Sequence, residues 1–294
     1  MRFPANPQHA TPVLKWAGGK RALLSQYEAF FPAEFGDYHE PFVGGAAVFF
    51  HLQPRLGQRR AFLGDVNGEL INFYQVLRDH VESLIELLGR HKSRHSDAYY
   101  YKVRQKAPRD PVQRAARLGY LNKTCFNGLY RVNSRGGFNV PVGRYRNPAI
   151  LDEDRLRAAS RALQGTDLQQ EKFTAVLERA RPRDLVYFDP PYHPLSLTSN
   201  FTSYTSDCFT EQDQRDLAEV FRQLHRKGVL VLLSNSDTPL IRELYRGFCL
   251  HPVQAPRCIN SRADSRGAVQ ELLISGTPLP LATRSLRSPV AVGA

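Results

Sequence analysis

The sequence predicts an α/β fold built on a mainly parallel sheet, and three observations carry that expectation. Short apolar runs alternate with helically spaced segments along most of the chain. Runs 185–188 (LVYF) and 228–233 (GVLVLL) are apolar throughout and read as buried strands. Strands meet acidic residues near their ends: Glu40 in run 37–42, Asp65 after run 60–64, and Asp189 after run 185–188.

Taken in order, residues 1–12 are polar and contain Pro, and read as a flexible arm. The strand at 37–42 leads through Gly44-Gly45 into a helix at 46–52, and 60–64 is the second strand. Segments 69–88 and 111–121 have helical spacing, followed by a stretch rich in Gly, Asn and Arg, so 67–149 reads as an inserted helical module. The catalytic core is expected over 13–66 and 150–277, with a helix at 213–225 before the strand at 228–233. Residues 278–294 are broken by Pro, lack periodicity and read as a flexible tail.

Composition bounds the function. Of 294 residues 42% are hydrophobic and 23% charged, which suits a soluble globular protein of about two domains. No apolar run approaches the ~20 residues of a membrane span. Residues 1–11 lack a secretory pattern, so a cytoplasmic location is expected. Cys125, Cys208, Cys249 and Cys258 are scattered, which argues against a zinc cluster or a disulfide framework. Net charge is +12, and residues 90–149 hold all of that excess, with 14 Lys and Arg against 2 Asp and Glu. A concentrated basic segment suits a polyanion, although a solvated Arg-rich face is the structural alternative.

Asp189-Pro190-Pro191-Tyr192 follows a buried strand, at the end of a parallel sheet where ligands bind. The Asp189 carboxylate and the Pro190 carbonyl can each accept one hydrogen bond from an exocyclic amine, and Tyr192 can stack on a planar base. A Pro-Pro stop with a capping Asp is the structural alternative. Glu40-Pro41-Phe42-Val43-Gly44-Gly45 ends the first strand, and Asp65, ending the second, can bind a ribose diol. The absence of G-x-G-x-x-G disfavours a dinucleotide. Trp16, the only tryptophan, lies between Lys15 and Lys20 in a Gly-rich turn; Lys20 can reach a carboxylate, and a partly buried core Trp with solvated lysines is the structural alternative.

These motifs, together with 38–49 (YHEPFVGGAAVF), 121–145 (LNKTCFNGLYRVNSRGGFNVPVGRY), 200–204 (NFTSY) and 231–237 (VLLSNSD), occur in the order found in Dam-type DNA adenine-N6 methyltransferases, which the chain resembles over about residues 13–275. The resemblance implies a Rossmann-like, S-adenosylmethionine-dependent methyltransferase core with an inserted helical target-recognition domain. It implies transfer to adenine N6 in double-stranded DNA within GATC, by base flipping and direct transfer, with no metal and no obligate protein partner. Carried over, Asp189, Pro190 and Tyr192 form the target pocket. Trp16, Lys20, Glu40, Phe42, Asp65 and Asp189 hold the cofactor. Lys15, Phe126, Asn127, Leu129, Arg131, Pro141 and Tyr145 read DNA. Phe126 stands where Tyr is frequent in the family, and Arg146 where Lys is.

The DNA assignments are also chemically reasonable. Arg131 and Lys15 can donate to guanine, Leu129 and Pro141 offer apolar surface to a thymine methyl, and Arg135, Arg144 and Arg146 suit phosphates. Two other readings remain at this point. One is a methyltransferase on another amine, cytosine N4 or an RNA base. The other is a non-catalytic DNA-binding protein on the same fold.

Overall fold

The computed structural model describes residues 10–195, 209–255 and 269–276. Seventeen α-helices and strands follow one another among them. They are α1 (Leu24–Tyr27), β1 (Tyr38–Glu40), α2 (Ala47–Leu56), β2 (Ala61–Asp65), α3 (Gly68–Asp79), α4 (Val81–Ser93), α5 (Asp97–Gln105), α6 (Pro111–Thr124), α7 (Glu153–Leu163), β3 (Asp167–Gln170), α8 (Val176–Arg179), β4 (Leu185–Phe188), α9 (Glu211–Arg226), β5 (Leu230–Ser236), α10 (Pro239–Leu244), β6 (Cys249–Ala255) and β7 (Val269–Ser275). Motif 200–204 and both chain ends lie outside the described residues.

All seven strands form one sheet in the order β3-β2-β1-β4-β5-β7-β6. The first five in that order pair in parallel, and β7 enters antiparallel between β5 and β6. The strand order reverses between β1 and β4. At such a switch point the loops diverge to opposite faces of the sheet and leave a crevice beyond the carboxyl ends. β1 ends at Glu40 and β4 is followed by Asp189, so both acids border that crevice.

The buried run 185–188 packs on both faces, with all four side chains fully enclosed. Leu185 and Tyr187 join the larger apolar cluster, while Val186 and Phe188 join the smaller one under α9, as a period of two requires. β5 divides in the same way, with Leu232 on one side and Val231 and Leu233 on the other.

Side-chain caps explain where several helices start. The Asn67 side chain accepts from the Glu69 and Leu70 amides at α3, and Asp110 accepts from Gln113 at α6, whose first residue is Pro111. Thr210 and Asp213 cap α9 reciprocally.

The helical pattern over 69–88 proves to be two helices. The backbone leaves the helical region at His80, with φ −137° and ψ 40°, at an Asp-His pair of low helix propensity. α3 packs on β2 and β3, and α4, α5 and α6 lie beyond it. Leu84, Leu88, Tyr100 and Leu121 share one continuous apolar cluster with Tyr38 and Leu63 of the sheet. Among the described residues no helix is long and apolar enough to cross a membrane.

Candidate active site

Four polar residues fasten the loop after β4, and all lie on α9 or at the end of β5. Ser234 Oγ donates to Asp189 Oδ1 at 2.8 Å. Its proton being used there, the Tyr187 hydroxyl 3.0 Å away is the donor to Ser234. Asn235 Oδ1 accepts from the His193 amide, while the Asn235 amide group donates to Gln214, which in turn donates to the Pro191 carbonyl at 2.9 Å. Ser236 Oγ donates to the His193 carbonyl. Asn235 and Gln214 are at most 1% exposed, so this network is internal and holds the Pro-Pro turn in one conformation.

Lys20 reaches the same loop from the other side. Its ammonium lies 2.8 Å from Asp189 Oδ1, 2.6 Å from the Gly18 carbonyl and 4.7 Å from the centre of the Tyr192 ring. Lys20 is only 4% exposed, and a buried ammonium needs such partners. The Asp189 contacts fall on Oδ1. Among the described residues nothing donates to Asp189 Oδ2 or to the Pro190 carbonyl.

The Gly44-Gly45 turn follows β1, and its glycines make room for Trp16. A Cβ on Gly44 would sit 2.9 Å from the Trp16 indole, and φ there is +44°. The indole fills that space. Asp65 Oδ2 accepts from the Gly44 amide at 3.2 Å and Oδ1 from the Asn67 amide at 2.9 Å. Burial pushes the Asp65 carboxyl up to about 6 against the opposing effect of those amides. Glu40 is 2% exposed and accepts from the Tyr38 hydroxyl at 2.8 Å. Its carboxyl is pushed up to about 8, chiefly by burial, with the Asp189 charge adding to the rise. Phe42 stacks on Phe173 at 5.5 Å and meets Phe188 and Phe209 edge-on, an apolar wall beside the crevice.

The basic segment meets this site through the same loop that carries Lys20. Lys15 exchanges backbone hydrogen bonds with the Asn122 side chain, and its ammonium lies 3.2 Å from the Tyr145 hydroxyl and 4.3 Å from that ring's centre. Trp16 stacks on Tyr130 at 5.5 Å. Lys15 and Trp16 therefore touch the segment 126–145, while Lys20, five residues on, touches Asp189.

Segment 126–145 folds back on itself. Bridges join Cys125 to Val142 and Val132 to Phe138. Phe126 is 47% exposed and is followed by Asn127 in the left-handed region at φ 54°. Leu129 is half-buried, and Pro141, Arg135, Arg144 and Arg146 are exposed. Arg131 Nε donates to Asn139 Oδ1 at 2.6 Å, across the fold of the segment.

The structure thus groups Trp16, Lys20, Glu40, Phe42, Asp65, Asp189, Pro190 and Tyr192 around the switch point, and the Lys15, Phe126 and Tyr145 set along one segment beside it. Sequence reasoning gave no role to Gln214, Ser234, Asn235, Ser236 or Glu271. Three polar residues ending the apolar run LVLL were a usable signal for the β5 set; Gln214 and Glu271 carry no local signal. A concavity of about 520 Å3, bordered by Gln75, Arg78, Gln164 and Thr166, lies at the amino end of β3, the opposite end of the sheet from Asp189.

Comparison with known proteins identifies the family. The sequence model of the D12 class N6 adenine-specific DNA methyltransferases matches residues 16–259. The chain is 43% identical over 279 residues to the type II methyltransferase M1.LlaDCHI of Lactococcus lactis subsp. cremoris, covering 92% of this chain and 96% of that one. It is 42% identical to the type II methyltransferase M.MjaIII of Methanocaldococcus jannaschii, covering 90% and 98%. It is 37% identical to the DNA adenine methylase of Escherichia coli K12, covering 88% and 93%. With Asp189-Pro190-Pro191-Tyr192 at the switch point and a match spanning core and basic segment alike, the chain belongs to the D12 class N6 adenine-specific DNA methyltransferases.

Proposed function

We propose that the chain methylates adenine N6 within GATC in double-stranded DNA, with S-adenosylmethionine as donor, on a base rotated out of the duplex. The observation that carries this reading is the pair of acceptors left at the turn after β4. Asp189 Oδ1 is taken by Lys20 and Ser234, while Oδ2 and the Pro190 carbonyl accept from no described residue. An exocyclic amine has two N–H donors, and two acceptors one residue apart match it.

The donor set also fits S-adenosylmethionine. Asp65, fixed by two backbone amides, suits the ribose diol; Trp16 and Phe42 offer aromatic surface; Lys20 suits the amino-acid carboxylate; and buried Glu40 lines the crevice. When bound, the cofactor supplies an activated methyl on sulfur, so neither a metal nor a covalent enzyme intermediate is required.

The protein's part is positioning and electrostatics. The basic segment holds the duplex, with Arg135, Arg144 and Arg146 on phosphates and Lys15, Leu129, Arg131 and Pro141 at base edges. Phe126 and Asn127 enter the space left by the extruded adenine, whose unstacking costs a few kcal/mol. Tyr192 stacks on the base. Asp189 and Pro190 orient N6, and the Asp189 charge opposes the positive charge that develops on nitrogen as it gains the methyl. Residues 67–149 act in this reading as the target-recognition part, and the enzyme works in the cytoplasm on the nucleoid.

Labelled methyl transfer to duplexes carrying GATC and each single-base variant tests the proposal. The expected product is N6-methyladenine at GATC alone; methyl on cytosine, or equal transfer to all variants, contradicts it.

A further inference from the structure

Strand β7 brings one more acidic residue to the site. Because β7 runs antiparallel between β5 and β6, its beginning lies beside the end of β5, and Glu271 pairs across with Ser236. The third residue of this strand therefore arrives at the carboxyl side of the sheet, next to the polar residues that hold the turn after β4. A parallel strand in the same place would have presented its last residues there instead.

Glu271 Oε2 accepts from the Tyr192 hydroxyl at 2.8 Å. Glu271 is half-buried, and burial raises its carboxyl while the Lys20 charge and the Tyr192 hydrogen bond pull it back down. The Tyr192 ring is thus fixed at two points. Its hydroxyl is tied to Glu271, and its face lies 4.7 Å from the Lys20 ammonium, which is itself anchored on Asp189. A tyrosine held only through its Cα–Cβ bond swings freely. One held at the far end presents its face in a single plane, and base stacking depends on that plane.

We propose that Glu271 is a positioning residue that sets the plane of the Tyr192 ring for stacking on the target adenine. It acts through Tyr192 and touches neither substrate nor reacting atoms. The assignment rests on the reading of Tyr192 given under the proposed function.

Four variants test it: Glu271→Leu, Glu271→Gln, Tyr192→Phe and the double Tyr192→Phe/Glu271→Leu. Losing the hydrogen bond from either side should lower kcat about tenfold on a GATC duplex, the order expected when a positioning group shifts by a fraction of an ångström. The KM for duplex and the calorimetric affinity for S-adenosylmethionine should stay within about twofold. The double variant should lose about tenfold again, not a hundredfold, because both changes remove one bond. Glu271→Gln keeps an acceptor oxygen and should recover to within about threefold of the parent. A duplex with 2-aminopurine at the target position should fluoresce more brightly with Glu271→Leu than with the parent, because the ring no longer stacks and quenches.

Parental kcat in Glu271→Leu, or losses that multiply in the double variant, overturns the assignment. If Glu271→Leu does not fold, Tyr192→Phe removes the same bond and carries the test with Glu271→Gln. A fifth variant, Tyr192→Ala, separates the two levels. If it is inactive while Glu271→Leu is not impaired, only the Glu271 assignment fails. If it keeps parental kcat, the reading of Tyr192 itself is wrong.

Discussion

Asp189 receives Lys20 and Ser234 on the same oxygen, and the chemistry proposed for the residue rests on that asymmetry. One oxygen anchors the side chain and the other is left to accept. Asp189→Ala removes both functions and strands the Lys20 ammonium, yet it lies outside the segment that holds the excess positive charge. The expected outcome is loss of methyl transfer of a hundredfold or more, the scale at which removing a catalytic electrostatic contact acts, while duplex affinity falls by less than about threefold. Equal turnover in parent and variant would take Asp189 out of the reaction. Glu40 has a different signature. Its carboxyl moves from 4.5 to about 8, mainly through burial, so the folded state favours the neutral form. The associated stability is complete below the ordinary value and is lost as pH rises through about 8. Glu40→Gln has nothing to ionise. The Tm of this variant relative to the parent should therefore climb between pH 5 and pH 9, by roughly 4 °C or more at about 2–4 °C per kcal/mol. A constant difference across that range would show that the Glu40 carboxyl titrates in the fold at its ordinary value.

At the scale of elements, four of the five parallel strands were legible, β2, β4 and β5 from their apolar runs and β1 from the acid and the Gly-Gly turn that end it; β3 was not, because Asp167–Gln170 offers only Leu168 to the core. β7 was not, because VQELLIS mixes Gln and Glu into an apolar run, and its antiparallel entry depends on pairing with β5 and β6. The break at His80 escaped because the apolar spacing continues through it while the backbone does not. The residues bordering the crevice were legible one by one; Gln214 and Glu271 were not, and the docking of Lys15 and Trp16 on segment 126–145 is tertiary. A Cβ on Gly128, where φ is +67°, would lie 2.6 Å from the Lys15 side chain, and no local pattern announces that closeness. The same segment holds the sharpest test of base reading. Arg131 is oriented by Asn139, whereas Arg144 is exposed near the segment's end. A bidentate guanine contact is worth about 1–3 kcal/mol of discrimination, and a phosphate contact weakens all sequences about equally. Arg131→Ala should therefore lose kcat/KM on GATC while keeping more of it on sites with one outer base changed. Asn139→Ala should follow in kind, and Arg144→Ala should lower every site alike. A single common factor for Arg131→Ala on all sites would make it a phosphate clamp.

Across the whole molecule, charge and chemistry occupy different parts of the chain. Residues 90–149 carry the entire excess of +12, and the remaining 234 residues are balanced. Within the segment Arg90 and Arg114 pair with Glu86 and Glu69, and Arg104 and Arg117 donate to backbone carbonyls, so part of the charge serves the fold. Exposed Arg135, Arg144 and Arg146 lie on or beside the folded-back segment that Lys15 joins from the core. The sheet supplies the crevice and the turn after β4, and affinity for a polyanion is assigned to the basic segment. Duplex binding should accordingly be strongly salt-dependent. Each phosphate neutralised by a cation releases condensed counterions and contributes about −0.9 to the slope of log K against log [salt]. With about six such contacts the slope is near −5, and affinity falls by about three orders of magnitude between 50 and 200 mM salt. Removing Arg144 or Arg146 should make the slope shallower by about one each, while Asp189→Ala should leave it unchanged. Fluorescence anisotropy of a labelled GATC duplex across that salt range measures all three. A parental slope shallower than about −2 would mean that the basic segment is not the main DNA surface, whatever its charge.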